Sequence, residues 1–104
     1  MHLGLKQIFN KGSVSGKITK IEYVTENEQT LTLLSLAIVR DREERVALYG
    51  FHHELTFGDK IEAVLGRPVI KRSETIFDKQ PAGDVKIRKQ KNCWYGAKEW
   101  RKVL

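Results

Sequence analysis

Seven of the chain's cations crowd into its last twenty residues, interleaved with large rings. Lys86, Arg88, Lys89, Lys91, Lys98, Arg101 and Lys102 share that stretch with Trp94, Tyr95 and Trp100, and Glu99 is its one acid. Cations neutralise phosphates and aromatic rings stack on bases, so this mixture of residue types suits a nucleic-acid strand. The first 84 residues carry twelve Lys/Arg and twelve Asp/Glu, so the end of the chain holds the whole formal net charge of +6. A neutral body with a basic, aromatic end is the simplest description.

Other chemistry is poorly provided for. His52-His53-Glu54 is the one metal-like cluster. Adjacent histidines on an extended chain diverge, and no second His stands four residues on, so a zinc-peptidase pattern is absent. Cys93 lies among cations, which favours a thiolate, but has no His or Asp near it in sequence and reads as a lone structural thiol. Glycine-rich phosphate loops, nucleophile elbows and spaced carboxylate pairs are missing. No enzyme activity and no cofactor or metal is expected.

These side chains need a scaffold, and 104 residues with 40% hydrophobic and 31% charged side chains suffice for one small domain. No apolar run is long enough to span a bilayer, and the N-terminus lacks a signal-peptide core. With a single cysteine, the chain is expected in the cytoplasm, away from membranes. Period-two alternation dominates and marks half-buried strands. Residues 13–24 place Val14, Gly16 and Ile18 on one face, then slip phase to Ile21 and Tyr23, which predicts a bulge or bend. A polar turn at 25–29 leads to a second strand over 30–40, with Leu34, Leu36 and Ile38 inward. A charged turn at 41–44 and a third strand over 45–51 complete a hairpin. A link at 52–56 suggests one helical turn. A fourth strand over 60–72 is interrupted at Gly66-Arg67-Pro68, a loop follows over 73–84, and 85–91 is a fifth strand. Residues 92–104 read as a helix or an ordered tail. The expected architecture is all-β, a small five-stranded barrel (1–91) with a short helical link and a C-terminal extension (92–104) packed on or beside it.

Gly16-Lys17-Ile18 in the first strand and Gly58-Asp59-Lys60-Ile61-Glu62-Ala63-Val64-Leu65-Gly66 in the fourth, with the hairpin between them, carry a resemblance. Over about residues 12–90 the chain resembles OB-fold nucleic-acid-binding domains of the tRNA-anticodon-binding and RecG-wedge type. That resemblance implies a single strand lying across strands two and three, between two flanking loops.

Alternation would turn Ala47, Tyr49 and Phe51 outward on the third strand, beside Ser35, Ala37 and Val39 of the second. Tyr49 and Phe51 are then a stacking platform, and Arg67, Lys71, Lys86, Arg88 and Lys91 track phosphates. Trp94, Tyr95 and Arg101 clamp or extend the site. The alternative is that Trp94 and Trp100 roof the same apolar strip, since large rings are more often buried than displayed. The flanking loops differ: 25–29 is acidic, while 73–84 is near neutral and offers Ile76 and Phe77. Two functions follow. One is binding of single-stranded DNA or RNA with little sequence preference. The other is a protein-interaction or homodimerisation module docking through Trp94, Tyr95 and Trp100, residue types common at interface hot spots.

Overall fold

A computed structural model describes residues 12–39 and 42–104. Five strands, β1 (Gly12–Glu26), β2 (Gln29–Ala37), β3 (Glu43–Tyr49), β4 (Lys60–Lys79) and β5 (Val85–Val103), close into a barrel of order β1-β2-β3-β5-β4. All neighbours are antiparallel except β3 and β5, which meet in parallel through Val46–Tyr95 and Ala47–Gly96. This closed all-β architecture is compatible with an OB-like fold. Arg40 and Asp41, where the second strand and the charged turn were expected to meet, lie outside the described residues, as do residues 1–11.

β1 serves two partners. Gly12 to Lys17 pairs with β4, and Lys17 to Glu26 pairs with β2, with a register shift between Ile18 and Lys20 at the changeover. This is the bulge that the phase slip predicts. Gly16 sits at the crossing, where a Cβ would collide with the Ala37 carbonyl oxygen. The β1–β2 turn is tighter than the five-residue expectation: Asn27 and Glu28 both have positive φ, 53° and 62°, as a two-residue hairpin turn of the primed type requires.

Alternation fills the interior. Ile18, Leu34, Leu36, Val46, Leu48, Ile61, Ala63, Leu65 and Ala97 form the barrel core, with Leu55 sealing it. Leu55 belongs to the link between β3 and β4, which consists of turns; the expected helical turn is absent, and no described residue is helical. The link is held instead by side chains. Thr32 donates to the Gly50 carbonyl at 2.7 Å and accepts the His52 amide at 3.0 Å. Asp59 accepts the Thr56 amide at 3.0 Å and lies 3.4 Å from Lys102. The first bond above all, then Lys102, holds its carboxyl below the usual range. Gly58, with φ of 89°, donates to the Ile18 carbonyl and ties this turn to the β1 bulge.

The largest departures lie at the C-terminal end. Residues 73–79, expected as loop, continue β4, and residues 92–103, expected as helix or tail, continue β5. The two strands pair from Lys60–Val103 to Lys79–Val85. Their outer part, from Lys71–Cys93 to Lys79–Val85, pairs with no other described strand and projects as a two-stranded arm. At about 3.4 Å per residue it is roughly 27 Å long.

Candidate nucleic-acid interface

The root of the arm lies against the barrel. Ile70 and Trp94, directly opposite each other, pack on Leu31, Leu33 and Ala47, with Val24 and Val69 at the margin. These lie on the outward side of β2 and β3, so Trp94, 7% exposed, covers the expected strip at Ala47, whereas Tyr49, Phe51 and Val39 stay exposed and Trp100 packs against the barrel core instead. The guanidinium groups of Arg45 and Arg72 lie 5.8 and 5.1 Å from the Trp94 ring centroid, close enough for cation–π attraction. Arg72 also grips Glu22 of β1 through two bonds of 2.9 and 3.0 Å. That bidentate pair pulls the Glu22 carboxyl below its usual range and pushes Arg72 up. The β2–β3 face implied by the resemblance as a strand path is therefore closed at its centre.

The arm itself has two unlike faces. Opposite residues of an antiparallel pair share a face, so the register puts even-numbered positions on one side and odd-numbered positions on the other. The even face continues from Ile70 and Trp94 through Arg72, Glu74, Ile76, Asp78, Lys86, Arg88, Gln90 and Asn92. It is self-satisfied: Arg88 bonds Asp78 at 2.8 Å, and Gln90 donates to Asn92 Oδ1 at 3.1 Å. The odd face has rows Lys71/Cys93, Ser73/Lys91, Thr75/Lys89, Phe77/Ile87 and Lys79/Val85. It contains no carboxylate, and none of its four lysines forms an ion pair among the described residues. Every position on it is exposed apart from the intermediate Cys93.

The predicted site residues are thus divided. Lys71 and Lys91 stand together on the odd face, while Lys86 and Arg88 stand on the even one. Tyr49 is 47% exposed on β3 and forms a shallow groove of about 230 Å3 with Arg67 and Lys98 over Gly96. Phe51 does not join it. Gly50, with φ of 92°, turns the chain out of the strand, and the Phe51 ring packs edge-on to Tyr23 at 5.7 Å and against His53 at 5.9 Å. The expected two-ring platform is not assembled, because alternation stops at that glycine. Tyr95 packs against the barrel core, as does Trp100 farther along β5. Arg101 is bound to Glu62 at 2.7 Å, lining a groove of about 470 Å3 that also contains Glu99; two carboxylates there give the wrong sign for phosphate.

The adjacent histidines do diverge. His52 Nε2 meets the Tyr49 carbonyl at 2.8 Å and its ring abuts Trp100, whereas His53 stacks on Tyr23. Among the described residues no three His, Cys, Asp or Glu side chains gather as a metal site. No described helix is long and apolar enough to cross a membrane.

Lys79, Lys89 and Ile87 were not among the predicted contacts, and Phe77 was expected only as an apolar contact of a flanking loop. A usable signal exists: Pro81-Ala82-Gly83 is a turn sequence, and a hairpin centred on Ala82 pairs odd positions with odd positions.

Comparison with family models, with curated proteins and with solved structures gave no match.

Proposed function

We propose that this chain binds single-stranded DNA or RNA with little sequence preference, and that the strand lies along the odd-numbered face of the arm. It acts as a binding protein without enzymatic chemistry. One observation carries the reading: Lys71, Lys79, Lys89 and Lys91 share an exposed face on which, among the described residues, no acid neutralises them. Lysines set on an edge to deter aggregation need not avoid carboxylates in this way, and the other face of the same arm mixes both signs. Like charges held on one rigid ribbon repel, and a polyanion relieves that repulsion while releasing its own counterions. The groove beside Tyr49 offers a further ring and the Lys98 cation on the barrel. The docking alternative relied on Trp94, Tyr95 and Trp100, and no observation favours it: Trp94 is buried and the other two pack against the core.

A labelled single-stranded oligonucleotide titrated at several salt concentrations tests the reading. Four phosphate contacts give a slope of log K against log salt of about −3, a loss on the order of 50-fold between about 50 and 200 mM. Binding without salt dependence, or none at low salt, contradicts it.

A further inference from the structure

The odd face is not uniformly polar. Phe77 is 65% exposed and Ile87, directly across from it, 62%. Neither contributes to a buried cluster among the described residues, so their apolar surface adds nothing to the described barrel core. Along the face they lie one row beyond Lys89 and one row before Lys79, and successive rows on one face are about 7 Å apart. We propose that Phe77, backed by Ile87, is the base-stacking side chain of the arm, and that this pair makes the arm select unpaired bases over a duplex.

The inference rests on reading the odd face as a nucleic-acid surface. Lys89 and Lys79 hold phosphates on either side of Phe77, which leaves the intervening base over its ring. Every base has a π-face, so stacking there is indifferent to sequence. In a duplex those faces are occupied by neighbouring base pairs, and only the lysines remain to bind. The lysines run along the arm instead of ringing its end, and the turn carries Gln80, Pro81, Gly83 and Asp84. An arm built to enter an anionic lipid surface would put its rings at the tip without a carboxylate there, so the observations favour the strand.

The test uses the full chain with substitutions at an exposed position. Phe77→Ala is expected to weaken binding of a single-stranded oligonucleotide of about 12 nucleotides roughly tenfold. The salt slope and the affinity for a duplex of the same length stay unchanged. Phe77→Trp is expected to keep the affinity and to add fluorescence that the single strand quenches. Equal single-strand affinity of Phe77→Ala and the parent overturns the inference, as does Phe77→Trp emission that shifts blue with phosphatidylserine vesicles and is not quenched by the strand. A Lys89→Ala/Lys91→Ala variant separates the two failures. If it weakens binding while Phe77→Ala does not, the arm still carries phosphate and only the stacking role is lost.

Discussion

Arg72 links three parts of the molecule: it lies on β4, its guanidinium faces the Trp94 ring of β5, and its two nitrogens hold Glu22 of β1. The Glu22 carboxyl is depressed in the folded state, so the stability it contributes is present above its unfolded pKa of about 4.3 and is lost as pH falls through the folded value. Glu22 is 49% exposed, which limits that contribution to at most about 1 kcal/mol. Glu22→Gln should therefore be less stable than the parent at pH 7, with the gap closing below about pH 4 in urea melts. A gap that does not narrow as the pH falls contradicts the assignment. A larger cost belongs to Gly16. Its close neighbour is the backbone oxygen of Ala37, which no side-chain rotation can remove, so Gly16→Ala should cost about 1–3 kcal/mol or more. An unchanged denaturation midpoint would show that β1 and β2 do not approach as described.

At the scale of elements, the β1–β2 hairpin and the arm make opposite predictions. Glu28 occupies a left-handed conformation that glycine adopts freely, so Glu28→Gly should raise stability by about 0.5–1 kcal/mol. The outer arm is stabilised chiefly by its own ladder. Joining Ser73 to Lys91 through an Asn-Gly turn should leave the barrel's melting temperature nearly unchanged while abolishing most oligonucleotide binding. A variant that unfolds would mean that the arm belongs to the core. The sequence reading did well in β1, where one face of the strand is wet: the alternation up to Ile18 and the slip after it were legible. It failed where that condition fails. In the arm both faces meet solvent, so residues 73–79 lack an apolar period and resemble a loop. Around Trp94 both faces are covered: Trp94 packs outside the barrel and Tyr95 inside. Buried residues at successive positions then erase the alternation and resemble a helix. The candidate site was half legible, since Lys71 and Lys91 follow from charge alone, but sorting them from Lys86 and Arg88 needs the hairpin register.

For the whole molecule, the concentration of charge at the end of the chain resolves into two roles. Part of it is structural: Arg88, Arg101 and Lys102 are engaged by Asp78, Glu62 and Asp59, and the nearby rings of Trp94 and Tyr95 are packed against the barrel. Of the other four, Lys89 and Lys91 join Lys71 and Lys79 from the preceding strand on one face, Lys86 stands on the opposite face, and Lys98 lines the groove beside Tyr49. The barrel then serves as a mount for the arm, and its roofed β2–β3 face contributes rigidity to the arm's root. The central claim is that binding depends on which face a cation occupies, beyond how many cations there are. Lys89→Ala and Lys86→Ala each remove one charge from the same strand, on opposite faces of the arm, and neither lysine is in an ion pair among the described residues. Their salt-dependent affinities for one single-stranded oligonucleotide form the most direct test. Lys89→Ala should weaken binding and flatten the slope of log K against log salt by about 0.7, while Lys86→Ala should stay close to the parent. Equal losses from the two variants would contradict a sided interface and leave only general electrostatic attraction.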